Sequence, residues 1–160
     1  MKKLIALLLS LVTVLSMTCV AFAGEMPTTT NTYPAEYEYF DDGSYIVTTI
    51  TESSSILTRA SGSKTASKTA EYYSSSGSAL WSVTVTGTFS YTGSSATCTN
   101  SSVSASSSSS VWKISSKSAS KSGSTAKATA TAVKYNANGK ISQTATKTVT
   151  LTCSKTGKLS

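Results

Sequence analysis

Residues 79–91 alternate with a period of two. Trp81, Val83, Val85, Gly87, Phe89 and Tyr91 fall on one side, and Leu80, Ser82, Thr84, Thr86, Thr88 and Ser90 on the other. Successive side chains of an extended chain point to opposite faces, so this stretch builds one apolar face and one largely hydroxylated face. Such a strand lies over a core on one side and meets water on the other. Gly87 interrupts the apolar series and marks a bulge or a close crossing.

The same rhythm recurs along the chain. In residues 140–154, Ile141, Ala145, Val149, Leu151 and Cys153 share one face, and Thr144, Thr146, Thr148, Thr150 and Thr152 the other. In residues 125–135, Ala126, Ala128, Ala130 and Ala132 alternate with Thr129 and Thr131. Further strands are expected at 63–73, 96–103 and 111–120, the last with Trp112 and Ile114 on one face. Gly- and Ser-rich turns separate them, Asn138-Gly139 gives a hairpin signal, and the serines at 106–110 read as a loop. No long stretch after residue 60 places large apolar groups at helical spacing. These six strands predict an all-β fold, an antiparallel β-sandwich or small barrel. The order Cys98, Trp112, Cys153 makes an immunoglobulin-like arrangement one candidate topology. Two long strands before Cys98, and Leu151 where that fold places its corner tyrosine, argue against it.

The chain opens with Met1-Lys2-Lys3, a short apolar run from Leu4, and Ala21-Phe22-Ala23. This pattern reads as a secretory signal peptide over residues 1–23, cleaved after Ala23, and predicts a secreted protein. Cys19 leaves with the signal. Two cysteines remain, and in an exported chain Cys98 and Cys153 are expected to form one disulfide, two buried thiols being the alternative. Two thiols without any histidine cannot complete a zinc site, so no metal and no cofactor is expected.

Charge divides the remaining chain near residue 60. Residues 24–60 hold six acids against Arg59 alone, a net charge of −5. Residues 61–160 hold eleven lysines against Glu71 alone, a net charge of +10. The acidic part reads as a partly disordered arm with a hairpin near 36–51, turning at Asp41-Asp42-Gly43. The basic part reads as the β-sandwich domain, and Arg59 between them is a candidate processing point.

Four stretches look familiar as a set: residues 79–87 (Ala-Leu-Trp-Ser-Val-Thr-Val-Thr-Gly), 112–117 (Trp-Lys-Ile-Ser-Ser-Lys), 148–154 (Thr-Val-Thr-Leu-Thr-Cys-Ser) and 42–49 (Asp-Gly-Ser-Tyr-Ile-Val-Thr-Thr). Together they resemble a family of small secreted proteins from Gram-positive, gut-type bacteria. The resemblance implies export and a shared domain over most of the chain, and it transfers no site residue.

The composition disfavours catalysis. Paired carboxylates for glycoside hydrolysis are lacking, because Glu71 is the only acid beyond residue 60. A serine nucleophile would have only lysine as its base. The expectation is therefore a non-catalytic module that binds an anionic wall or extracellular polymer, or a glycan. Lys113, Lys117, Lys121, Lys127 and Lys134 are the candidate polyanion contacts. Tyr72, Tyr73, Tyr91 and Tyr135 are candidates for stacking on sugar rings, with core or rim packing as the alternative. The threonine row of residues 144–152 reads as the solvated side of a strand. The competing expectation is a cationic bacteriocin or toxin-like protein masked by an acidic pro-segment. Export makes nucleic acid an unsuitable partner, and no amphipathic cationic helix supports stable membrane insertion.

Overall fold

A computed structural model describes residues 28–55 and 61–160. The expected signal peptide with Ala23, and the candidate processing point Arg59, lie outside the described residues. The described chain forms nine strands: β1 (Thr28–Thr32), β2 (Glu36–Tyr39), β3 (Tyr45–Ser55), β4 (Gly62–Tyr73), β5 (Ala79–Tyr91), β6 (Ala96–Ser107), β7 (Trp112–Ser122), β8 (Thr125–Tyr135) and β9 (Ile141–Thr152). All pairings are antiparallel. The larger sheet has the order β1-β3-β4-β5-β6, with β2 also beside β3, and the smaller has the order β7-β8-β9. The two pack face to face as an all-β sandwich.

Each sheet is close to a meander, with sequence neighbours paired. The immunoglobulin-like connection is therefore not made, since that fold requires strands that cross between sheets. Cys98 and Trp112 fall on adjacent strands of different sheets because the chain passes once from one sheet to the other, between β6 and β7.

The core follows from the alternation. β5 turns Trp81, Val83, Val85 and Phe89 inward, all 3% exposed or less. Facing them, β8 offers Ala126, Ala128, Ala130 and Ala132, each fully buried. Large side chains on one sheet thus meet small ones on the other, which lets the sheets approach closely. Gly87 shows how close the approach is. A Cβ there would lie 2.6 Å from the Phe89 ring and 3.0 Å from the Ala126 Cβ.

The acidic segment is not a separate arm. β3 pairs with β4 from Tyr45↔Tyr73 to Ser53↔Thr65, and buries Ile46 and Ile50 in the common core. β1, within a stretch expected to be disordered, pairs with the second half of β3. Two ion pairs tie the segment to the basic strands, Glu52 to Lys64 at 2.7 Å and Glu38 to Lys147 at 2.6 Å. Opposite net charges therefore mark contact between the two parts. The expected loop at 106–110 is also shorter than the sequence suggests, because β6 continues through Ser107 opposite Trp81.

Candidate functional site

The outer face of the small sheet is a regular lattice of hydroxyls. Register places Ser116, Thr131 and Thr146 in one row, and Ser118, Thr129 and Thr148 in the next. Thr129 and Thr148 hydroxyls lie 2.8 Å apart, and Thr131 and Thr146 hydroxyls 3.0 Å apart. Cross-strand hydroxyl pairs of this kind tie neighbouring side chains together and support the strand pairing. Lys127 stands in the following row between Ser120 and Thr150, and Lys113 beside Val133 at the other end.

All five candidate lysines lie on β7 and β8 and are exposed, but they do not share one face. Lys113 and Lys127 lie on the outer lattice. Lys117, Lys121 and Lys134 lie on the core-side face, at its rim. The cause is a register shift between Ile114 and Ser116. Regular alternation would align Lys113, Lys117 and Lys121; the extra residue Ser115 turns the second and third to the other side. Lys121 then reaches across the seam between the sheets and donates to the Thr99 carbonyl.

The aromatic candidates also divide. Tyr73 closes an outer row with Tyr45, Tyr39 and Tyr37, its ring 5.1 Å from that of Tyr45. Tyr72 belongs to an inner row with Phe40, Trp81 and Trp112. Tyr91 is buried, with the Lys64 ammonium 5.4 Å from its ring centre. Tyr135 stands apart at the end of β8, paired with Ile141. The sequence did not single out Tyr37, Tyr39 or Tyr45, which only strand pairing brings beside Tyr73.

The expected Cys98–Cys153 bridge is not formed in the structure; both residues are buried free thiols. Each sulfur is turned to a nearby carbonyl, Cys98 Sγ donating to Asn100 at 3.1 Å and Cys153 Sγ to Ser154 at 3.5 Å. Burial pushes both thiol pKa values up. The two are nevertheless neighbours. The Cys98 N–H donates to the Gly123 carbonyl, and the Cys153 N–H to the adjoining Ser124 carbonyl.

A buried polar cluster lies at the inner side of β3 and β4. Glu52 accepts from Lys64 and from the Tyr33 hydroxyl at 3.1 Å. Burial alone would lower the Lys64 pKa, but the hydrogen bond and charge of Glu52 outweigh it and raise the value. Burial and the Glu52 carboxylate raise Tyr33. On the outer face, donation to Glu71 at 2.7 Å, followed by burial, pushes Tyr73 up to about 12. All three groups have folded pKa values above their ordinary 10.0 or 10.5. The stability they contribute is complete below the ordinary values and is lost as pH rises through the raised ones. The urea midpoint should therefore hold to about pH 10 and fall towards pH 12. Glu71→Gln should reduce the Tyr73 share of that fall, which a pH series of urea melts would resolve.

Among the described residues no group of three or more His, Cys, Asp or Glu is placed to hold a metal ion. No helix among them is long and apolar enough to cross a membrane. Comparison with protein-family models, with curated proteins and with solved structures finds no match to this chain.

Proposed function

We propose that this protein is a secreted, non-catalytic module that binds an anionic surface polymer through its small sheet. One observation carries the reading. Residues 72–160 contain nine lysines and no carboxylate side chain, and among the described residues only Lys147 of these nine forms an ion pair. This positive charge is left unneutralised, on and around a hydrogen-bonded hydroxyl lattice. Phosphate or carboxylate groups along a polymer would meet the ammoniums, and its hydroxyls would meet Ser and Thr.

Export is part of the proposal. It would bring the neighbouring Cys98 and Cys153 thiols into an oxidising compartment, where loss of two electrons and two protons to a disulfide oxidant would join the two sheets.

The test is binding of polyphosphate and of poly-glutamate at two salt concentrations. Raising salt from ~0.01 M to ~0.15 M shortens the Debye length from about 30 Å to about 8 Å. Affinity should fall at least tenfold over that range. The combined substitution of Lys113, Lys117, Lys121, Lys127 and Lys134 by Gln should remove most of the salt dependence. Binding that ignores salt, or that survives the five substitutions unchanged, would overturn the reading.

A further inference from the structure

The sandwich is open on one side. Sheet packing brings β9 against β4 and β5, while β3 has no strand of the small sheet across from it. Residues 33–36 run along its edge, Tyr33 donating its N–H to the Ile50 carbonyl and Glu36 pairing with Thr48, while Leu159, held by the Cys153↔Leu159 bridge, covers part of its inner face. Between Leu159 and this edge lies a cleft of about 340 Å³, lined among others by Tyr33, Glu36, Thr48, Ile50, Lys68 and Leu159.

The lining of this cleft carries one side-chain charge of each sign, Glu36 and Lys68. Along the same inner side Glu52 is paired with Lys64, and Glu38 with Lys147. Glu36 and Lys68 are left without an ion pair among the described residues. They stand on opposite sides of β3, Glu36 beside Thr48 and Lys68 beside Ile50. Lys68 is half-buried and Glu36 is exposed at the mouth. Ile50 and Leu159 give the space between them an apolar lining.

We propose that this cleft binds a short zwitterionic peptide, its carboxylate on Lys68 and its ammonium on Glu36. A simple anion would meet repulsion from Glu36, and a simple cation repulsion from Lys68. An uncharged apolar ligand would strip water from Lys68 and return nothing. β2 and β4 are two strand spacings apart, about 9.5 Å, before their side chains converge. A single amino acid carries both charges on one carbon; a dipeptide separates them by a further peptide unit and suits this span better.

The probe is glycyl-leucine, titrated calorimetrically into the full chain beside N-acetyl-glycyl-leucine and glycyl-leucinamide. The free dipeptide should bind about tenfold or more tightly than either blocked form, since each lacks one charge-assisted contact. Lys68→Met should erase the preference for the free carboxylate and keep that for the free ammonium. Glu36→Gln should do the reverse. Circular dichroism and urea melts of both variants would confirm that they fold. No saturable binding of glycyl-leucine to folded protein would overturn the proposal. So would equal binding of the three probes, or a preference that neither substitution alters.

Discussion

A chain beginning at residue 61, one residue shorter than the product of trimming after Arg59, should fail to unfold cooperatively. Removal of everything before residue 61 deletes β1, β2 and β3. It strips β4 of its partner along the register from Tyr45↔Tyr73 to Ser53↔Thr65. Ile46 and Ile50, 3% and 8% exposed, leave the core. Each contributes about 1.5–3 kcal/mol through burial. Ala66 and Ala70, now covered to 2% exposure, would line an open edge. Lys64 would lose Glu52 but could turn to water on that edge, so the ion pair adds less than the apolar loss. Against a total stability of about 5–15 kcal/mol, these losses are large enough to abolish a cooperative fold. The check is a urea melt of residues 61–160 followed by circular dichroism, beside the longer chain. A sharp transition at the midpoint of the longer chain would show that β1–β3 is an appended segment. That outcome would also revive the masked, toxin-like reading, which needs a basic domain able to stand alone.

The contrast between the two parts shows what sequence could reveal here. β5 and β8 were legible end to end, because large or small apolar residues at every second position admit one orientation over a core. β3 was legible as half of a hairpin, yet its pairing with β4 was not. The inward side of that strand mixes Ile46 and Ile50 with Thr48 and Glu52, and the acidic charge around it suggested separation from a basic partner. Glu52 proved to be 6% exposed and bonded to Lys64, a contact between residues that no spacing rule connects. β1 pairs through its backbone, so its polar sequence gave no sign of it. The bulges were silent for a related reason. The shift between Thr88 and Phe89 makes Thr99 the extra residue, which turns Cys98 inward opposite Phe89. Strict alternation from Ser102 and Asn100 would have turned it out. The polyanion candidates suffer the same fate at Ser115, and a reader counting residues along β7 has no means of seeing it.

The contact between Gly87 and Phe89 should be the most sensitive point of the core. The Phe89 ring lies across Gly87 on its own strand, and Ala126 of the facing sheet closes the gap from the other side. Phe89 is fully buried, so Phe89→Ala should destabilise by about 3–5 kcal/mol, the transfer and cavity cost of a buried aromatic ring. Gly87→Ala adds only one methyl group, yet its Cβ would sit 2.6 Å from the ring. The ring would have to leave its rotamer or the sheets would have to part, at a cost of about 1–3 kcal/mol. Because both changes act through one space, they should not add. Gly87→Ala combined with Phe89→Ala should be less damaging than the two single costs together, with a coupling of about 0.5–3 kcal/mol. Urea melts of the four proteins measure that cycle. A harmless Gly87→Ala would mean the sheets stand further apart than the fully buried alanines of β8 allow. Independent costs would mean that the ring does not rest on the glycine, and the close crossing of the two sheets would have to be sought elsewhere along β5.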